Sequence, residues 1–169
     1  MIPLLHLRID PDPCQPSDLN LVGTCFTRNQ CHQAGGLPLG TCAKGFGVCC
    51  VVTLTCGGGN SEDGKDANNS TTTAVTVKHN STYIQSKGYP SPFTPKSLKV
   101  CKIKIERPSN DPQNVCQVRL DFLELQLAPA DSRDGHCLTD RLTVSGNSGP
   151  APKNICGDLE GQHSKLYSN

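Results

Sequence analysis

Cysteine is the residue type whose chemistry could dominate this chain, because 11 of its 169 residues are cysteines. Cysteine sulfur can bind zinc, attack an electrophile or join a second cysteine in a disulfide. Zinc modules usually present Cys-x-x-Cys pairs, and no two cysteines here have that spacing. The spacing therefore favours disulfides, which persist in oxidising compartments.

The adjacent Cys49 and Cys50 in "GFGVCC" raise a narrower question about bonding partners. Successive residues of an extended chain point to opposite sides, so these two sulfurs should reach different partners. The alternative is a vicinal disulfide that acts as a redox switch, although that geometry stores strain. Spacing alone does not choose among the pairings that six cysteines allow. The other four are Cys14, Cys25, Cys31 and Cys42.

Three N-glycosylation sequons point to the same setting, since Asn68, Asn69 and Asn80 each begin an Asn-x-Ser/Thr sequence. Together with the cysteines they predict a secreted, extracellular glycoprotein. The apolar patch in "MIPLLHLRID" is too short for the core of a signal peptide, so we expect the true N-terminus to differ from this one. No apolar run approaches the ~20 residues of a membrane span.

Other side chains offer little chemistry. Ser148 in "GNSGP" lacks the Gly-x-Ser-x-Gly context of a nucleophile and is predicted to lie in a turn. The histidines are scattered without metal-site spacing. Asp131, Asp134 and Asp140 are predicted to be solvated, with a cation site as the alternative. We therefore expect no enzyme activity and no cofactor.

The net charge of +1 gives no reason to expect nucleic acid as a partner. One basic group is predicted to be a solvated strand face, with a glycosaminoglycan or another acidic partner as the alternative. Its members are Lys96, Lys99, Lys102, Lys104 and Arg107.

Three segments of the first half differ in composition. Residues 1–13 are predicted to be unstructured. Residues 14–52 are rich in glycine and polar types without apolar periodicity, so crosslinks must hold that segment. Residues 57–73, "GGGNSEDGKDANNSTTT", are predicted to be a flexible insertion because they cannot bury enough apolar area to offset chain entropy.

From residue 74 the apolar pattern has a period of two. "VCKIKIE" places Cys101, Ile103 and Ile105 on one face of a half-buried strand. "VCQVRLDFLELQL" alternates likewise and then switches parity, which predicts a bulge or bend near Phe122 and Leu123. With a further strand in "RLTVS" and no convincing helix, the sequence predicts an all-β, antiparallel β-sandwich behind a small disulfide-rich module.

The order of the first six cysteines resembles a clip-type domain of arthropod extracellular proteins. That resemblance implies disulfides between Cys14 and Cys49, Cys25 and Cys42, and Cys31 and Cys50. The adjacent cysteines would then close two crosslinks of a disulfide knot. The proline that often follows the doublet in that family is replaced by Val51.

Residues 56–169 resemble a CUB domain, above all the CUB domains of secreted arthropod proteins that carry such a cystine module in front. The resemblance rests on "CGGG" at 56, "NSTYIQSKGYPSPF" at 80, "CKIKI" at 101, "VCQVRLDFLEL", "CLTDRLTV" at 137 and "ICGDLEGQH" at 155. It implies a β-sandwich that binds proteins or carbohydrates, with disulfides Cys56–Cys101 and Cys137–Cys156.

Two departures from the CUB pattern carry expectations of their own. CUB domains continue beyond the cysteine matched by Cys156 with more strands than the residues up to Asn169 can supply, so we expect a sandwich truncated at its C-terminus. In calcium-binding members a glutamate stands where this chain has Ala128. Asp140 fits a second ligand, but one carboxylate is not enough, so no calcium site is expected.

Cys116 is left over from these pairs. Related arthropod domains tend to carry a further cysteine in the segment matched by "NSTY", where this chain has Ser81. Cys116 is therefore predicted to be a free thiol, buried beside Val118 and Leu120 and of low reactivity. A reactive or intermolecularly bonded Cys116 is the alternative.

The predicted function is a non-catalytic extracellular module that binds an unidentified protein or carbohydrate. The alternative is the non-catalytic, regulatory N-terminal part of a secreted CUB serine protease. A full-length transcript distinguishes the two, because only the second continues into a protease domain.

Overall fold

The computed structural model describes residues 8–17, 19–56, 62–65, 71–94, 99–106, 115–146, 149 and 154–167. Strands are the main regular structure of these residues and only one short α-helix is present among them, which confirms the all-β class. The strands are β1 Pro13–Cys14, β2 Gly23–Phe26, β3 Leu37–Cys42, β4 Gly47–Thr55, β5 Glu62–Lys65, β6 Thr71–Val77, β7 Thr82–Gln85, β8 Lys99–Ile105, β9 Gln117–Asp121, β10 Leu142–Thr143, β11 Asn154–Ile155 and β12 His163–Tyr167.

The chain divides into two compact units, residues 1–108 and residues 109–169. The sequence predicts a division near residues 52–56, between the cystine module and the rest. The long strand β4 explains the difference, because its first half pairs with β2 and β3 while its second half pairs in parallel with β7. One continuous strand therefore crosses the expected boundary.

Hydrogen bonds reinforce that link between residues 14–52, which we call the front module, and β7. The Val22 N–H donates to the Tyr83 hydroxyl at 2.8 Å, and the Thr24 hydroxyl donates to the Asn80 carbonyl at 3.2 Å. Part of the segment that was expected to be unstructured is also paired. Strand β1 starts at Pro13, and the Cys25 N–H donates to the Asp12 carbonyl at 2.8 Å.

A short helix, α1 at Arg28–Gln33, lies in the front module where no helix was predicted. It begins with a capping box. The Gln30 N–H donates to the Thr27 hydroxyl at 3.2 Å, and the Thr27 N–H donates to the Gln30 side-chain oxygen at 2.9 Å. These bonds satisfy N–H groups that a helix start otherwise leaves without partners. The helix places Cys31 in the core at 1% exposure.

A second sheet of the first unit has the order β5–β6–β8, with β6 and β8 parallel. Together with the parallel pair of β4 and β7, this corrects the expectation that the strands are antiparallel throughout. Residues 57–73 were expected to be a flexible insertion, but Glu62–Lys65 and the start of β6 within that range are strands. The threonine run of β6 suits a strand, since β-branched side chains pack well on a pleated surface. The rest of 57–73 lies outside the described residues.

The expectation that Cys101, Ile103 and Ile105 form a buried face is wrong. Ile103 and Ile105 are 37% and 41% exposed. Across the ladder, Val75 opposite Ile103 and Thr73 opposite Cys101 are buried at 4% and 8%. The difference follows from position, since β8 is the last strand on its side of the sheet among the described strands.

In the second unit β9 pairs antiparallel with β12, from Gln117↔Tyr167 to Asp121↔His163, and β10 pairs with β11. Strand β9 ends at Asp121 and the chain bends at Leu123 and Glu124, where the parity switch predicted a bend. The predicted strand in "RLTVS" is present as β10. No helix in the described ranges is long and apolar enough to cross a membrane.

Candidate binding surfaces

The front module is organised by three disulfides that meet on β4. They join Cys14 to Cys49, Cys25 to Cys42, and Cys31 to Cys50, the pairs that the clip-type resemblance implies. Cys49 and Cys50 turn to opposite faces of the strand and are both 1% exposed. Cys31 and Cys50 pack with Val48 and Val52, so the crosslink is itself part of the apolar core.

These crosslinks hold a tight turn at one end of the module, which we call the β3–β4 tip and define as Ala43, Lys44, Gly45 and Phe46. Cys42 and Gly47 pair across its base, and the Cys25–Cys42 disulfide ties that base to β2. The Phe46 N–H donates to the Ala43 carbonyl at 3.1 Å. The turn is thus closed by backbone and covalent bonds together.

The backbone of the tip lies in an unusual conformation. Ala43 and Lys44 have φ values of 48° and 56°, the left-handed region that non-glycine residues rarely adopt. Such residues persist only where the surrounding structure fixes them, and they cluster at functional sites. The turn directs Phe46 into solvent, where it is 69% exposed.

Gly47 shows why the base of the tip is so closely packed. A Cβ atom added there would lie 2.7 Å from the Cys42 sulfur and 2.9 Å from the Cys25 sulfur. Only glycine lets the strand pass this close to the disulfide. The glycines of "CAKGFG" indicate a tight turn in the sequence. The exposure of Phe46 could not be predicted from them, because it depends on the Cys25–Cys42 disulfide.

A second exposed surface lies on the outer edge of β8. All seven residues of the strand are exposed, with Lys102 and Lys104 on one face and Ile103 and Ile105 on the other. The Lys104 ammonium lies 2.6 Å from one Glu106 oxygen, and Lys78 lies 3.7 Å from the other. The hydrogen bond from Lys104, followed by its charge, lowers the pKa of the Glu106 carboxyl.

A shallow cleft of about 130 Å³ lies in the first unit between α1, β4 and the turn that follows β6. Val52 and Leu54 form its apolar wall, and His79 lies at its rim. The His79 ring meets Phe26 edge to face with centroids 5.5 Å apart. Burial, followed by the positive charge of Lys78, lowers the pKa of His79.

The remaining predicted disulfides, Cys56–Cys101 and Cys137–Cys156, are also present. Cys116 stands outside the five disulfides, but it is exposed rather than buried. The pairing of β9 with β12 ends at Gln117↔Tyr167, so Cys116 lies one residue beyond the paired register. Sharing a strand face with Val118 and Leu120 was therefore not sufficient to bury it.

The predicted glycosylation sites divide between described and undescribed parts. Asn80 is exposed in the turn before β7. Asn68 and Asn69 lie outside the described residues, as do Ser148, Lys96 and Arg107.

The carboxylates near Cys137 serve local turns. Asp131 accepts the Arg133 N–H at 2.8 Å, and Asp134 accepts the His136 N–H at 3.0 Å. Across the described ranges no group of three or more His, Cys, Asp or Glu side chains is arranged to hold a metal. The absence of a calcium site at Asp140 stays a prediction.

Comparison with known proteins gives no family for the chain, since no protein-family model, curated protein or solved structure matches it.

Proposed function

We propose that this chain is a non-catalytic extracellular recognition protein, in which a clip-like cystine module precedes a CUB-like β-sandwich and binds a protein or carbohydrate. The strand-rich fold and the two disulfides outside the front module support the CUB-like part. The observation that carries the proposal is the β3–β4 tip, where a covalently fixed turn holds Phe46 at 69% exposure.

The tip has the properties of a binding anchor. Aromatic side chains contribute much of the energy at protein interfaces because they bury a large area and lose little conformational freedom. A turn already fixed by a disulfide also avoids the ordering entropy that a flexible loop loses on binding. Lys44 adds a positive charge to the same turn, which can contact a polar or acidic rim of a partner.

Secretion belongs to the same proposal. Disulfides form and persist in oxidising compartments, and five of them are present among the described residues. Asn80 lies in an exposed turn, where a glycan would not disturb a core.

The test is a binding screen with the secreted, oxidised chain against purified extracellular proteins and a glycan array. For any partner found, Phe46→Ala should weaken affinity about tenfold or more. Leu37→Ala is the matched control, because Leu37 lies at the opposite end of the same hairpin and is 63% exposed. Both variants should keep the melting temperature, since neither side chain is packed.

The proposal would be overturned by either of two results. One is the absence of binding at micromolar concentrations to both panels. The other is a partner whose affinity changes no more with Phe46→Ala than with Leu37→Ala.

A further inference from the structure

The outer edge of β8 presents backbone groups in a regular order. The Glu106 N–H donates to the Val77 carbonyl at 2.9 Å, which places the even-numbered residues of β8 in hydrogen-bonding contact with β6. In a parallel ladder the alternate residues turn their N–H and C=O groups the other way. Cys101, Ile103 and Ile105 therefore direct theirs away from β6, and no described strand pairs with that side.

The side chains along this edge alternate in character. Lys102 and Lys104 extend from one face, and Ile103 and Ile105 extend from the other at 37% and 41% exposure. Lys104 is held by Glu106, whereas Lys102 forms no ion pair with any described residue. A strand added here would meet positive charge on one face and apolar surface on the other.

These observations favour a strand from a different protein, rather than from a second copy of this chain, as the partner of the β8 edge. If two β8 edges paired antiparallel about a twofold axis, the lysines of one strand would lie opposite the lysines of the other. Like charges directly opposite in a ladder are destabilising. An acidic residue at the same positions would instead form opposite-charge pairs, which stabilise a ladder.

We propose that the β8 edge binds an extended peptide segment of a partner protein by strand addition, with acidic and apolar side chains alternating along that segment. Main-chain hydrogen bonds to Ile103 and Ile105 supply affinity, and the alternation supplies specificity. This inference rests on the proposed recognition function and adds the chemistry of one partner segment.

The probe is a fluorescent peptide of about eight residues in which glutamate and valine alternate, a length typical of a strand. Its control has the same composition, with all glutamates first and all valines last. Fluorescence anisotropy should show that the alternating peptide binds the oxidised chain about tenfold more tightly than the block peptide, because only the alternating one matches both faces.

Two variants separate charge from strand addition. Lys102→Glu should weaken the alternating peptide about tenfold, whereas Lys87→Glu, which changes an exposed lysine outside β8, should not. Ile103→Pro removes an N–H that faces outward and breaks no hydrogen bond to β6, so the strand should tolerate it and peptide binding should be lost.

Several outcomes would overturn the inference: equal affinity for the two peptides, equal effects of Lys102→Glu and Lys87→Glu, displacement of both peptides alike by a heparin fragment, or a dimer abolished by Ile103→Pro. The proposed recognition function fails separately. A partner whose binding depends on Phe46 would keep that function standing even if no peptide bound β8.

Discussion

The front module and the second unit are both crosslinked, but they use their disulfides differently. In the front module the crosslinks are the core, since Cys31, Cys49 and Cys50 are the most completely buried side chains of the described chain. In the second unit every described residue is at least partly exposed, and Leu123 and Leu138 are 59% and 67% exposed. There the Cys137–Cys156 disulfide joins two partly exposed residues outside the strands.

This difference shows that a disulfide can stabilise in two ways. It restricts the unfolded chain wherever it lies, and it adds packing only where its sulfurs are buried. The two regions allow these contributions to be separated, because Cys31–Cys50 and Cys137–Cys156 span the same sequence separation of 19. Loop-closure entropy is therefore matched between them.

The largest expected effect comes from removing these two disulfides in turn. The loop entropy predicts a loss of about 3 kcal/mol in unfolding free energy for either double replacement by alanine. Cys31→Ala with Cys50→Ala should lose more than this, because it also empties a packed site beside Val48 and Val52. Urea unfolding, with hydrogen exchange to locate the loss, measures both. Equal losses would contradict the distinction between core and surface crosslinks.

A smaller effect is expected from a single methyl group at the base of the β3–β4 tip. Gly47→Ala places its Cβ within 3.0 Å of both sulfurs of the Cys25–Cys42 disulfide, so the strand or the disulfide must shift. We expect a loss of about 1–3 kcal/mol by thermal or urea unfolding.

Gly40→Ala is the matched control for Gly47→Ala on the same hairpin. Its added Cβ would meet Pro16 at 3.7 Å and Cys49 at 3.8 Å, which is ordinary packing distance. Its effect should stay within about 0.5 kcal/mol. If both glycines tolerated alanine, the close packing of the tip on its disulfide would be disproved.

The sequence predicted the local features of this structure better than its long-range features. Cysteine order and its resemblance gave the pairs, and period-two alternation gave β8, β9 and β10, because both signals are written along the chain. The helix α1 was also predictable, since Thr27-x-x-Gln30 is a capping-box sequence.

Burial was not predictable from the same patterns. The alternation in β8 and β9 predicts which residues share a face, but not whether another strand covers that face. Ile103 and Cys116 are exposed for this reason, each at an edge of its ladder. Phe46 is a similar case, because its exposure depends on a disulfide formed between residues distant in the chain.

The next smaller effect tests whether the front module and β7 act as one unit. Tyr83→Phe removes the acceptor of the Val22 N–H, a hydrogen bond worth about 0.5–1.5 kcal/mol. Because β2 follows directly after Val22, amide exchange in β2 should accelerate together with exchange in β7. Faster exchange in β7 alone, with β2 unchanged, would show that the cystine module is independent of the strand beside it.

The smallest effect concerns pH and is confined to the first unit. Burial and Lys78 lower the pKa of His79 below its ordinary value of about 6.5, so the folded chain takes up a proton less readily than the unfolded chain. The stability linked to His79 is therefore fully present above pH ~6.5 and is lost as pH falls through the lowered pKa.

His79→Phe keeps an aromatic ring against Phe26 but cannot be protonated. It should reduce the loss of unfolding free energy between pH 7.5 and pH 5, measured by urea titration at each pH. A pH dependence that His79→Phe does not alter would show that the packing of this ring on Phe26 imposes no cost on its protonation.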